Sequence, residues 1–287
     1  MATRVGYIGL GNMGKAMASN LAPKGFDARV YDLDPEPIQE LAASGAKPAS
    51  SCREVGEHAE LLSVCVPADA HVEAVLLGTD GALAGMAAGS VVAVHSTVQP
   101  ETIERMAEAA RERGVELLDA CVTGGAEGAK KGELTLLIGG ERATVEKARP
   151  VLEAYGTTLL HAGPLGAGAK LKLCVNLLTY VNWAAAAESF RLAKASGLDT
   201  EIFLEAVRAN GQLSSMQERF IAGQKLPDEA AASDAYQSFV TVQMHNAEKD
   251  LALALELGRS CGIALPAAGL VAQDMARLYR VKDEGRR

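Results

Sequence analysis

The chain has 287 residues, 48% hydrophobic and 22% charged, a composition that suits a soluble globular protein of about two domains. A formal charge of −8 with scattered basic residues argues against nucleic acid as the main ligand. No uncharged run approaches the roughly 20 residues of a membrane helix, and glycines interrupt the only signal-like block. Cys52, Cys65, Cys121, Cys174 and Cys261 form no CxxC pair, the pattern expected of a reduced cytoplasmic protein. The five histidines are isolated from one another and from cysteine, so a metal site has no support.

The first element is an apolar strand, Val5, Tyr7 and Ile8 in "RVGYIGLGNMGKAMASNL". It leads into Gly9, Leu10, Gly11, Asn12, Met13 and Gly14, then into a helix-forming run that ends near Pro23 and Gly25. Glycines at the spacing GxGxxG suit a tight turn, a backbone lying against a pyrophosphate and a helix packed closely on its strand. A second strand, "ARVYD", ends on Asp32, eighteen positions after Gly14. That is near the roughly 20-residue spacing at which a carboxylate meets an adenosine ribose. Asp32 and Asp34 would also fit a plain turn before Pro35. As a ribose ligand, Asp32 repels a 2′-phosphate and no arginine directly follows it, so NAD is expected over NADP.

Next come "LLSVCVP", "SVVAVHST", "VELLDACV", "LTLLIGG" and "TTLLHAG", each of strand length and separated by helical patterns. They predict an α/β fold over residues 1–163: a doubly wound, mostly parallel sheet of the Rossmann type, covered on both faces. From 164 to 287 an all-α domain is expected, helical from about Leu165 to Arg280. Its first helix, "KLKLCVNLLTYVNWAAAAESFRLAKASG", is apolar around much of its circumference and needs cover from other helices or a second subunit. The closing "KDEGRR" reads as a frayed tail.

Two glycine-rich segments offer chemistry. In "DACVTGGAEGAKKG" the Thr123 hydroxyl beside the amides of Gly124 and Gly125 makes an anion nest for a small carboxylate, or equally a tight turn. In "GAGAKLKLCVN" Lys172 and Asn176 are four residues apart and share a helix face. A lysine in a partly apolar site near a helix start gives up its proton more readily and can exchange it with a substrate oxygen. Taken alone, Lys170 and Lys172 fit an exposed amphipathic turn just as well.

These segments, in this order and together with "KDLALALELG", resemble the β-hydroxyacid dehydrogenases, the family of 3-hydroxyisobutyrate dehydrogenase and tartronate semialdehyde reductase. The resemblance covers nearly the whole chain. It implies an NAD-preferring enzyme that interconverts a small β-hydroxy acid and its semialdehyde or keto acid. It also implies that Lys172 is the general acid/base, that Asn176 positions the substrate, and that Thr123, Gly124 and Gly125 hold its carboxylate. Thr97 of "HSTVQP" matches the threonine beside the nicotinamide, and Val66 and Pro67 of "CVPADA" match the loop flanking the cofactor. Lys249 would approach the active site from the helical domain. The resemblance, together with the apolar pattern of the first helix, also leads to the expectation of a homodimer or homotetramer. Cys121 stands where the family usually has proline, Thr123 where it has serine, and Val175 where it has the first of two asparagines. These departures bear on substrate, and the reactivity of Cys121 is open. An imine reductase is disfavoured by Lys172. A 6-phosphogluconate dehydrogenase is disfavoured by "KLCVN" and the short helical domain, and a non-catalytic dinucleotide-binding module by Lys172 with Asn176.

Overall fold

The computed structural model describes residues 2–282, which divide into two compact units between Lys172 and Leu173. Apart from Lys282, the tail expected to fray lies outside the described residues. The first unit contains strands β1 (Arg4–Ile8), β2 (Asp27–Tyr31), β3 (Lys47–Pro48), β4 (Leu61–Val64), β5 (Val91–Val94), β6 (Glu116–Thr123), β7 (Leu134–Gly139) and β8 (Gly156–Gly163). Its helices are α1 (Asn12–Ala18), α2 (Pro35–Ala43), α3 (Cys52–His58), α4 (Asp69–Leu77), α5 (Pro100–Arg111), α6 (Gly125–Lys131) and α7 (Arg142–Leu152), together with the start of α8 (Ala167–Ala195).

The strands form one sheet in the order β3-β2-β1-β4-β5-β6-β7-β8. Every neighbouring pair is parallel except β6 with β7. The link from Thr123 to Leu134 is shorter than the dozen or so residues a parallel crossover needs, so β7 turns back beside β6. The two-residue β3 escaped the sequence reading, since Pro48 cannot donate to a ladder and is tolerated at a sheet edge. Central strands β4 and β5 are buried along their whole length, as continuous apolar runs covered on both faces must be. Local signals start the helices. Asp34 caps α2 by accepting from the Glu36 amide, Ser51 caps α3 through Glu54, and Pro100 opens α5.

This order places the topological switch between β1 and β4, where open α/β sheets bind ligands beyond the carboxyl ends of their strands. In the second unit α8 continues, followed by α9 (Thr200–Ala209), α10 (Ser215–Gln224), α11 (Asp228–Ala231), α12 (Asp234–Ser260), α13 (Pro266–Gln273) and α14 (Met275–Tyr279). No strand occurs among its described residues. Tyr180, Ala184 and Ala187 of α8 share a core with Val240, Met244, Ala247 and Leu251 of α12 and with Met275, Leu278 and Tyr279 of α14. The buried positions recur at helical spacing, one stripe per helix. Other faces stay exposed, with Leu178, Phe239 and Val242 at 60%, 58% and 57%. No helix among the described residues is long and apolar enough to cross a membrane.

Candidate active site

The glycine turn after β1 gives each glycine a separate task. Gly9 has φ +91°, and a Cβ there would stand 2.3 Å from the Cys65 carbonyl oxygen, so the turn against β4 admits no side chain. A Cβ on Gly14 would stand 1.9 Å from the Gly9 carbonyl oxygen, which lets α1 pack directly on β1. At Gly11 an added Cβ meets nothing within 4 Å. Gly11 and Asn12 are exposed, and Gly11 begins α1 with no side-chain cap and no acidic residue in the first turn. The exposed start of α1 thus carries a positive dipole end that no side chain caps, which fits the phosphates of a dinucleotide.

Asp32 stands beside this turn at the end of β2. Its Oδ2 accepts from the Leu10 amide at 2.5 Å and its Oδ1 from the Asp34 amide at 2.9 Å. A carboxylate offers about four lone-pair sites, so capacity remains on both oxygens for the hydroxyls of a ribose. Val66 and exposed Pro67 follow β4, with the Val66 amide donating to Ser96 Oγ at 2.8 Å. That bond joins the β4 end to the segment after β5, where Thr97 sits half-buried.

A buried polar chain lies beneath these strand ends. His95 Nδ1 is 2.7 Å from the Ala120 carbonyl, which can only accept, so Nδ1 carries the proton and Nε2 accepts from the Tyr155 hydroxyl at 3.0 Å. Ser63 Oγ, 3.2 Å away, then donates to Tyr155. Burial pushes the imidazole pKa down to about 4, which keeps His95 neutral. Cys121 is fully buried, with Sγ 3.5 Å from the Ser96 carbonyl, unlike the exposed thiols of electropositive sites that react.

Thr123 ends β6, and Gly124 and Gly125 follow with φ +126° and +70°, values that strain any other residue. Gly124 begins α6, and a Cβ on Gly125 would meet nothing within 4 Å. Space is therefore open beside Gly125, while a Cβ on Gly124 would stand 3.1 Å from the Leu134 side chain. Lys172 lies half-buried in the second turn of α8, whereas Lys170 is exposed. The first turn of α8 is held by Asp119 of β6, which accepts from the Gly166 amide at 2.8 Å and the Ala169 amide at 2.7 Å.

In the second unit Asn176, one turn beyond Lys172 on α8, is buried and its Nδ2 donates to Asp250 Oδ2 at 2.6 Å. The Tyr180 hydroxyl, another turn on, donates to the same oxygen at 3.1 Å. Lys249 Nζ stands 2.9 Å from Asp250 Oδ1, an ion-pair distance outside hydrogen-bonding direction. The expected site residues therefore fall in two groups. Everything through Lys172 belongs to the first unit, and Asn176 and Lys249 belong to the second.

Comparison with known proteins joins the two groups in one family. Residues 4–163 match the model for the NAD binding domain of 6-phosphogluconate dehydrogenase, and residues 166–286 match that for the NAD-binding domain of NADP-dependent 3-hydroxyisobutyrate dehydrogenase. An NAD-dependent L-serine dehydrogenase of Pseudomonas aeruginosa is 37% identical over 97% of this chain and 91% of its own. A 3-hydroxyisobutyrate dehydrogenase of the same organism is 36% identical over 98% and 93%. The chain belongs to the β-hydroxyacid dehydrogenase family. The 3-hydroxyisobutyrate dehydrogenase of Mycobacterium tuberculosis, solved with L-serine, superposes with a TM-score of 0.81 at 28% identity, covering 98% of this chain and 94% of that one.

In this β-hydroxyacid dehydrogenase, sequence reasoning passed over Asp119, Tyr180 and Asp250. The available signal was an acid on an otherwise apolar face: Asp119 heads "DACVTGG", and Asp250 lies on the α12 stripe with Ala247, Leu251 and Ala254. A buried carboxylate needs partners, and that need marks it for inspection.

Proposed function

We propose that the enzyme oxidises a small β-hydroxy acid to its semialdehyde or keto acid, with NAD in preference to NADP. The observation that carries this reading is the pairing of an open Gly11 turn with a fixed carboxylate, Asp32, at the switch point of the sheet. When bound, the dinucleotide supplies the hydride acceptor. Asp32 accepts from its ribose hydroxyls and repels a 2′-phosphate, while Val66, Pro67 and Thr97 flank the nicotinamide half.

Thr123 and the amides of Gly124 and Gly125 hold the substrate carboxylate. Lys172 accepts the hydroxyl proton as the alcohol is oxidised and returns it in reduction. Asn176 orients the substrate, and Lys249 provides positive charge near the cofactor. L-Serine and 3-hydroxyisobutyrate, which the names of the two Pseudomonas relatives specify, share a hydroxymethyl group next to the carbon that bears a carboxylate. They differ only in the remaining substituent, ammonium or methyl, so the substrate class is this skeleton. Thr123, with its extra methyl group, stiffens the hydroxyl through its χ1 preference and tightens the carboxylate end.

A homo-oligomer is the accompanying reading, supported by the exposed Leu178, Phe239 and Val242, and a cytoplasmic setting is supported by five cysteines with no disulfide among them. NADH formation with L-serine, 3-hydroxyisobutyrate and glycerate, each with NAD and NADP, tests the function. Turnover of at least one of them with a tenfold or greater preference for NAD is expected, equivalent to about 1.4 kcal/mol. Absence of turnover across the panel would count against the substrate class, and equal kcat/KM with both cofactors against the role of Asp32.

A further inference from the structure

Asp119 is fully buried on β6, and its carboxylate accepts amide bonds at both oxygens from the start of α8, from Gly166 and Ala169. Burial raises its pKa, and the amides of Gly166, Ala169 and Gly168 pull it back. An ordinary helix cap is a serine, threonine, aspartate or asparagine adjoining the helix, as Asp34 is for α2, and needs no buried charge. Here the cap arrives from a strand 47 residues upstream of Gly166, so it fixes the helix to the sheet rather than merely closing its end.

The approach is close. Asp119 pairs with Gly139 across β6 and β7, and a Cβ on Gly139 would stand 2.5 Å from Asp119 Oδ1 and 2.8 Å from the amide nitrogens of Ala167 and Gly168. A Cβ on Gly168 would stand 2.3 Å from the Leu137 carbonyl oxygen and 2.7 Å from Asp119 Oδ2. The backbone of α8 therefore rests directly on β7, and the Asp119 carboxylate links it to β6. Lys172 comes one turn after Gly168 on this anchored helix. Thr123 lies four residues beyond Asp119 on the same strand and, by the alternation of a strand, on the same face.

We propose that Asp119 is a positioning residue for the reaction: by holding the first turn of α8 on the sheet, it sets where Lys172 stands relative to the Thr123–Gly125 turn. The proposal rests on the reading of Lys172 as the general acid/base. A displacement of about 1 Å in a reacting group can cost on the order of 100-fold in rate, so an anchor one turn away has leverage on chemistry without touching substrate. Asn in place of Asp119 keeps the volume but offers one acceptor oxygen, and its NH₂ group faces the second amide donor to donor.

The test is a cycle of wild type, Asp119→Asn, Lys172→Ala and the double variant, read by single-turnover hydride transfer and by NADH binding. Asp119→Asn is expected to slow hydride transfer about 10–100-fold while the Kd for NADH changes less than about threefold. The same change should cost little more once Lys172 is already Ala, the non-additivity of residues acting through one another. A normal rate in Asp119→Asn, or an equal loss in both backgrounds, overturns the proposal and leaves Lys172 in its role. An undiminished rate in Lys172→Ala instead removes the acid/base reading, and this proposal with it. If Asp119→Asn does not fold, Gly168→Ala takes its place in the cycle, since it lifts the helix start while keeping Asp119 and Lys172. It should show the same signature, and full activity in it would overturn the proposal.

Discussion

Asn176 and Asp250, 74 residues apart, meet in the core of the helical unit with 2.6 Å between Nδ2 and Oδ2, and Tyr180 donates to the same oxygen. Two donors one turn apart on α8 thus converge on one acid of α12. The bond uses one of the two donor hydrogens of the Asn176 amide and fixes which way that amide faces. Asp250→Ala leaves a buried amide and a buried hydroxyl without this acceptor. We expect it to destabilise the helical unit by about 1–3 kcal/mol, whereas Tyr180→Phe, which keeps the Asn176 bond, should cost about 0.5–1.5 kcal/mol. Urea unfolding followed by circular dichroism checks the order, and a Tyr180→Phe loss equal to that of Asp250→Ala would contradict it.

The glycine turn separates folding from binding. Gly14→Ala places its methyl group 1.9 Å from the Gly9 carbonyl oxygen and should forfeit stability or soluble expression. Gly11→Ala meets no protein atom within 4 Å and keeps an ordinary extended conformation, φ −61° and ψ −170°. Its melting temperature without cofactor should match wild type to within a degree or two. NADH binding should weaken tenfold or more, because the methyl group occupies the path of the pyrophosphate. Unchanged NADH titration by fluorescence in Gly11→Ala would place the phosphates elsewhere.

His95 makes a prediction about pH. Burial pushes its folded pKa to about 4, below the ordinary 6.5 of a histidine, so between these values the unfolded chain binds more protons and stability falls as pH falls. The loss expected from this group by pH 4 is on the order of 3 kcal/mol, with the stability fully present above pH 6.5. His95→Gln keeps a polar side chain and removes the titration. The slope of unfolding free energy against pH between 6.5 and 4 should then drop by up to one proton. An unaltered slope would mean that His95 is not buried neutral.

What sequence could show was local. The strand, glycine turn, helix, strand and acid from Val5 to Asp32 each carry their own signal within a few residues, and the structure has them in that order. The long α8 was legible because no Gly or Pro interrupts the run from Lys170 to Ser196. The reversal of β7 was not, because its direction depends on the length of the link through α6 rather than on the apolar pattern of "LTLLIGG". Asp119 and Asp250 were illegible for a related reason. An acid on an apolar face hints at burial, but their partners are backbone amides 47 and 50 residues away and an asparagine 74 residues away, which the neighbouring letters do not identify.

The most direct test of proton transfer by Lys172 is stopped-flow hydride transfer in Lys172→Ala, with whichever hydroxy acid the wild type oxidises. A fall of about 10²–10⁴-fold is expected, with NAD affinity little changed, the signature of a positioned proton acceptor rather than a binding group. Lys172→Arg should fail as well, because a guanidinium holds its proton throughout this pH range. An undiminished rate in Lys172→Ala would contradict the account and pass the role to another cation, with Lys249 first in line.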